Sequence, residues 1–373
     1  MIYFDNAATT PIDVEVIEAM QLVMGKHYGN PSSIHSFGRK SRVLIEEARI
    51  CIANLVKANP SEIYFTSTAT EAISTAIFGA VRDLGARKII TSALEHHAVL
   101  HTLDAVNKLF PIEVIYAKMD TYAQIDCEHL EELLQESQQA LVILMHANNE
   151  TGSLNPIDKI AKLCKRYASY FLTDTVQTLG KYQIDFAEVM PDFATCSAHK
   201  FHGPKGSGFL YVSDSISIKA LINGGGQERE MRSGTENTYG IVGMAKAMEV
   251  AYRDLDKNAA YISNLKSYFV HELKAAFPEL IFNVGSDISG LYNIINVSVP
   301  NVYKNDMLVE NLDINGIAVS GGSACSSGTV SVSHVLMALG CDTEIPAVRF
   351  SLSKFNTIAE VDEVMGVLKK ILL

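Results

Sequence analysis

From residue 63 to residue 213 the chain alternates short β-prone runs with helical segments, and no other feature constrains its fold as much. IYFTS (63–67) leads into TATEAISTAIFGAVRDLG (68–85), KIITS (88–92) into a helix over 97–109, and IEVIYAKM (112–119) into a helix over 127–138. LVILMHAN (141–148) precedes a helix over 157–167. SYFLTD (169–174) and FATCSAH (193–199) are further strands, and GSGFLYVS (206–213) reads as a strand that hairpins back. Strand, polar corner, helix is the βα unit. Its repetition predicts an α/β fold with a mostly parallel sheet covered on both faces.

Around this block the spacing predicts helices over 12–24 and 38–56, flanking a loop-like GNPSSIHS (29–36). GGGQEREMRSGTEN (224–237) is too polar for core, and a long helix over 238–276 bridges to the C-terminal part. There the pattern is strand (292–299), helix (305–316), glycine-rich loop GGSACSSG (321–328), helix, strand AVRFSL (347–352) and helix (358–372). The expected division is a large α/β domain over 12–255. Residues 1–11 and 256–373 form a smaller α+β domain that carries the cysteine loop 320–330.

A net charge of -11 argues against nucleic acid as the principal partner, because phosphate binding favours clustered Lys and Arg. MIYFDNAATTP is not a signal peptide, and no apolar run has the length to span a bilayer. The 6 cysteines are scattered with no CxxC pair, which offers neither a zinc framework nor a disulfide scaffold. Reduced thiols in a cytoplasmic protein are the expectation. No metal site is expected, since EHH (95–97), His146 and Asp174 match no compact zinc spacing.

In a βα architecture ligands gather beyond the carboxyl ends of the parallel strands. Thr70, with Ala69 beside it, lies at the corner after IYFTS, where a helix N-terminus makes either an anion site or a simple cap. His96 follows KIITS and is either a ring that stacks on a heteroaromatic ligand or a core histidine. Asn149 follows LVILMHAN and offers an acceptor and a donor. Asp174 ends an apolar strand, where an ionised carboxylate is costly unless paired with a cation. Gln177 follows three residues on, and Ser197, His199 and Lys200 close the group. Lys200 alone reads as an ordinary surface charge. Together these residues suggest a pocket for an anionic, aromatic, carbonyl-bearing cofactor, which pyridoxal 5'-phosphate fits. Arg349 interrupts an apolar strand and is either a partner for a substrate carboxylate or half of a structural ion pair. Cys325, between glycines, is either an accessible nucleophile or a chance free thiol.

These motifs carry a resemblance. YFDNAATTP (3–11), YGNPSSIHSFG (28–38), FTSTATEA (65–72), TSALEHHAVL (91–100), MHANNETG (145–152) and DTVQTLGK (174–181) appear in order. SAHKFHGPKGSG (197–208), GGGQEREMRSGTEN (224–237), SGGSACSSG (320–328) and VRFSLSKFN (348–356) follow. Nearly end to end, the chain resembles the pyridoxal-phosphate-dependent cysteine desulfurases of the aminotransferase class V superfamily, in the branch used for iron–sulfur cluster assembly. The resemblance implies the fold-type I transferase architecture, with a seven-stranded, mostly parallel sheet, and a homodimer. It makes Lys200 the Schiff-base lysine, His96 the stacking ring, Asp174 the partner of the pyridine nitrogen, and Gln177 and Asn149 groups near the ring oxygen and substrate. Thr70, Ser197 and His199 become phosphate-side contacts, and Thr235 reaches the phosphate in the partner subunit. Arg349 takes the substrate carboxylate and Cys325 carries the persulfide. L-cysteine is then the substrate, L-alanine the product, and a scaffold or thiolation protein the sulfur acceptor.

Two departures accompany the likeness. Thr68 stands where the family corner usually has glycine, and GTVSVSH (328–334) replaces a common stretch containing Glu and Pro. The rival readings are a selenocysteine lyase, another lyase or aminotransferase on the same cofactor, and a non-catalytic sulfur carrier or regulatory subunit.

Overall fold

A computed structural model describes residues 1–137, 139–287, 290–303, 307–321 and 333–373. Cys325 and most of its glycine-rich motif therefore lie outside the described residues. The chain begins with β1 (Ile2–Tyr3), α1 (Val14–Lys26) and α2 (Ser36–Val56). The alternating block follows as β2 (Ile63–Thr66), α3 (Ala69–Arg82), β3 (Lys88–Thr91), α4 (His97–Asn107), β4 (Glu113–Tyr116) and α5 (Cys127–Gln135). It continues with β5 (Leu141–Ile143), α6 (Ile157–Arg166), β6 (Tyr170–Asp174), α7 (Phe186–Val189), β7 (Phe193–Ser197) and β8 (Gly208–Val212). Beyond it come α8 (Thr238–Arg253), α9 (Leu255–Ala276), β9 (Ile281–Phe282), β10 (Ile294–Ser298) and α10 (Leu308–Ile314). β11 (Ile317–Ala318), α11 (His334–Ala338), β12 (Ala347–Ser351) and α12 (Ile358–Leu372) complete it.

The central sheet has 7 strands in the order β2-β8-β7-β6-β5-β3-β4. β8 runs antiparallel to both of its neighbours, and the other pairs are parallel. β2, antiparallel to β8, therefore points the same way as the parallel set. The period-two alternation of buried strands separates two apolar layers. Val142, Ala194, Phe209 and Tyr211 face α2, α6 and α8, whereas Leu141, Ile143, Phe193 and Leu210 face α3 and α4. A further core is built from Ile2 and Phe4 with α9, β10, β12 and α12. β1 reaches it by pairing in parallel with β11.

Two expectations of continuous elements fail, each for a local reason. The helix expected over 238–276 is broken at Asp254 (φ -105, ψ 16), where the chain leaves the core beneath the large sheet and enters the other one. The strand expected over 141–148 ends at Ile143. Beyond it Leu144 and His146 still donate to Leu172 and Asp174 of β6, but on the other side the Met145 amide donates to the Glu95 carboxyl at 3.0 Å instead of to β3. Asn148 then organises a turn by accepting from the amides of Glu150 and Thr151.

Candidate active site

Five strands end on one edge of the sheet, and each delivers a polar group there. After β2, Thr68 caps α3 with an extended backbone (φ -156), its hydroxyl accepting from the Glu71 amide at 3.2 Å. The hydroxyl that distinguishes this corner thus serves the helix, and its backbone needs no glycine. Ala69 and Thr70 supply the first amides of α3, which helical geometry leaves without an intrahelical acceptor. His96 follows β3 and caps α4, Nδ1 accepting from the Ala98 amide at 3.0 Å. Burial, helped by Lys200, pushes its pKa down to about 4. The imidazole is neutral, and the proton sits on Nε2.

β5 leads to Asn149, β6 ends on Asp174, and β7 ends on Ser197 just before Lys200. Asp174 is buried and accepts one bond from the Val176 amide at 2.9 Å. Burial raises its pKa to about 6 against the pull of that bond and of Lys200. Gln177 donates from Nε2 to the Ala7 carbonyl at 2.9 Å, while its buried Oε1 has no hydrogen-bond partner. His199 meets the Thr9 hydroxyl at 3.1 Å, and burial lowers its pKa to about 4. The Lys200 amine donates to the carbonyls of Ala7 (2.8 Å) and Ala8 (2.9 Å).

These side chains line one cavity of about 290 Å³, together with Ala7, Ala8, His97, His334 and Arg349. Arg349 reaches it from β12. It donates to Asp5 Oδ1 and to the Asn149 carbonyl, each at 2.8 Å. Lys200, His96, Asp174, Gln177, Asn149, Ser197, His199, Thr70, Ala69 and Arg349 are thereby brought together. Thr235 is exposed and lies outside the cavity wall. The wall also holds what residue-by-residue reading passed over: the backbone of Ala7 and Ala8, and the ring of His97 packed on His101 and His334 at 4.9 and 4.4 Å. The YFDNAATTP motif was the available signal for the first. The second partner of His97 is far away in sequence and left none.

The arrangement defines a class. The chain belongs to the aminotransferase class-V family, whose model matches residues 2–364. Within that class it is a member of the cysteine desulfurase family. It is 41% identical over 375 residues to cysteine desulfurase IscS of Dictyoglomus turgidum, covering 100% of this chain and 94% of the relative. It is 39% identical to the Methanosarcina thermophila protein of the same name, covering 99% and 91%. Among solved structures, a NifS-like protein superposes with a TM-score of 0.91 at 38% identity, covering 99% of this chain and 98% of that one. SspA in complex with cysteine gives 0.82 at 31%, covering 96% and 100%.

The cofactor of this family is pyridoxal 5'-phosphate, and the cavity suits it. A buried carboxylate raised by burial is a partner for a protonated ring nitrogen, and a neutral imidazole is a face for a cationic ring. The α3 N-terminus suits a phosphate. The orphaned Gln177 Oε1 is an acceptor at the same wall.

Proposed function

We propose that the chain removes sulfur from L-cysteine, releasing L-alanine and leaving the sulfur first on Cys325 and then on an acceptor protein. The observation that carries this reading is the convergence of Lys200, Asp174, His96 and Arg349 on one cavity, in a chain that matches cysteine desulfurases along its whole length. The bound cofactor supplies an electron sink that makes the substrate Cα–H acidic and its C–S bond breakable.

Each remaining task falls to a named side chain. Arg349 binds the substrate carboxylate and fixes which way the thiol points. The Lys200 amine takes the proton from Cα and returns it to the product. Asp174 keeps its negative charge against the ring nitrogen. Ala69, Thr70, Ser197 and His199 hold the phosphate, with Thr235 of a second copy. Asn149 and Gln177 orient ring oxygen and substrate, and His96 covers the ring and assists protonation of intermediates as a hydrogen-bond donor through Nε2. The Cys325 thiolate attacks the substrate sulfur. An S–S bond forms as the C–S bond breaks, and the electron pair of that bond ends, with one proton, as a C–H bond of the alanine methyl group. Cysteine plus thiol gives alanine plus persulfide, so no outside oxidant is needed.

Other cysteines suit this task poorly: burial raises the pKa of Cys51, Cys127, Cys164, Cys196 and Cys341. A thiol nucleophile needs the opposite shift. Those five are also free thiols, which fits a reducing cytoplasm. Exposed Val14, Leu22, Tyr28, Ile34 and Phe37 on and beside α1 and α2 support a homodimer. The large domain (12–255) then carries most of the cofactor site, and the smaller one carries Arg349 and Cys325.

The test is mass analysis after exposure of the cofactor-loaded protein to L-cysteine. The expected products are stoichiometric alanine and a protein one sulfur atom heavier at Cys325. C325A should lose the sulfur and keep the cofactor absorbance. Adduct on another cysteine would remove Cys325 from its role, and faster turnover of L-selenocysteine with no protein-bound sulfur would make the enzyme a selenocysteine lyase.

A further inference from the structure

Among the described residues two arginines are only 1% exposed, and they are held in different ways. Arg49 on α2 is gripped fork to fork by Glu228, Nη1 to Oε2 and Nη2 to Oε1, both at 2.8 Å. It also reaches the Ile63 carbonyl at 2.7 Å and Glu46 through Nε at 3.0 Å. That is how a buried guanidinium is satisfied when its task is structural. Arg349 instead meets a single carboxylate oxygen, Asp5 Oδ1, through Nη2. Nη1 goes to the Asn149 carbonyl, and Nε is buried with no hydrogen-bond partner. Its charge is compensated while donors remain uncommitted beside the cavity.

Asp5 is itself held from several directions. The same Oδ1 accepts from the Ser320 hydroxyl at 2.7 Å. Its backbone bridges to Ser351, two residues beyond Arg349 on β12, and Ser320 bridges to Arg349. Asp5, Ser320 and Arg349 therefore occupy adjoining extended segments whose backbone pairing fixes their side chains relative to one another. Asp5 is anchored in this way, and the Asn149 carbonyl lies in the turn that Asn148 organises, so two points orient the plane of the fork.

We propose that Asp5 is a positioning residue for substrate recognition: with Ser320 it holds the Arg349 guanidinium in a half-satisfied pose, leaving its remaining donors for the substrate carboxylate. This rests on the reading of Arg349 as the carboxylate's partner. Asp5 acts through Arg349 and touches neither substrate nor cofactor.

The experiment uses the cofactor-loaded protein and two ligands that differ only at the carboxyl group, L-alanine and L-alaninamide. Binding is read from the change in cofactor absorbance, and steady-state constants for L-cysteine are measured in parallel. Wild type should bind L-alanine at least tenfold more tightly than the amide. Equal binding by wild type would overturn the role of Arg349 itself, a failure distinct from that of Asp5. In D5A, Kd for L-alanine and KM for L-cysteine should rise tenfold or more, while kcat and Kd for the amide stay within threefold. D5N keeps an oxygen for Arg349 and Ser320 and should rescue to within threefold. S320A removes one donor from Asp5 and should give a rise of two- to fivefold, a reading that survives if D5A does not fold. The proposal is overturned if D5A keeps its preference for the carboxylate, if both ligands weaken together, or, where D5A cannot be obtained, if S320A leaves both ligands unchanged.

Discussion

Asp174 is a carboxyl group in surroundings that penalise its charge, and that tension sets how the cofactor is held. Its pKa stands at about 6 because burial outweighs the Val176 amide and the Lys200 charge. A cationic ring nitrogen beside it favours the ionised form, so binding draws the pKa down. Below pH 6 binding must therefore release a proton from Asp174, and affinity for pyridoxal phosphate should fall as pH falls. The slope limit is about tenfold per pH unit, the effect of one proton. D174N should bind about 10–100-fold more weakly at pH 7, about 1.4–3 kcal/mol, and lose this pH dependence. Equilibrium dialysis of apoprotein across pH 5–8 checks both, and an unaltered slope in D174N would separate the carboxyl from the ring. The position of Asp174 was legible in the sequence, because a lone acid closing FLTD is costly without a partner. The Lys200 acceptors were not. They are backbone carbonyls of Ala7 and Ala8, and a carbonyl leaves no trace in residue identity.

Among elements, the segment 224–237 behaves least like its composition. It reads as a polar, glycine-rich excursion, yet its run of left-handed residues does not fall on the glycine triplet: Glu228, Arg229 and Glu230 have φ of 47°, 56° and 65° in succession, and Gly234 follows at 105°. Such a conformation costs a residue bearing a Cβ about 1–2 kcal/mol. The turn is held by partners remote in sequence. Arg49 grips Glu228, whose carboxylate also accepts from the Phe65 amide at 2.8 Å, and the Arg229 guanidinium lies 4.4 Å from the centre of the Tyr64 ring. R49M would leave the Glu228 carboxylate buried and unpaired, so a loss of about 3–5 kcal/mol is expected. E230G removes strain from an exposed position and should stabilise by about 0.5–1 kcal/mol after glycine's entropic cost. Urea denaturation of both variants measures the pair of opposite signs, and a destabilised E230G would show that the carboxylate itself holds the turn. The element types were legible because apolar periodicity is local. This turn and the break at Asp254 were not: the turn depends on Arg49 and Tyr64, remote in sequence, and the break on which of two cores a segment meets.

The whole molecule presents its chemistry on one sheet edge by burying titratable groups of both kinds, and they act on stability in opposite directions. Burial lowers His96, His146, His199 and His202 to about 4. The folded cofactor-free chain therefore resists protons that an unfolded chain accepts below about pH 6.5. That stability is complete above 6.5 and is lost as pH falls toward 4. Burial raises Glu95 to about 8, and Asp174 and Asp192 to about 6. Near pH 5 these three keep protons that an unfolded chain has mostly released, which favours the folded state as pH falls. Among these seven groups, four set against three leave a net uptake on unfolding of about one proton, a slope of about 1.4 kcal/mol per pH unit between 6.5 and 5, and His97, which burial also lowers, adds to it in the same direction. The histidines alone would give about four times that. The expected outcome is a shallow decline over this window, measured by urea midpoints at half-unit steps. D192N tests the balance away from the active site, since asparagine keeps an oxygen for the Phe171 amide, now 2.7 Å from Asp192, and cannot hold the extra proton. Its slope near pH 5 should roughly double, to about 2–3 kcal/mol per unit. A wild-type slope near that of the uncompensated histidines, or a D192N slope no steeper than wild type, would mean that the buried acids do not offset the buried bases.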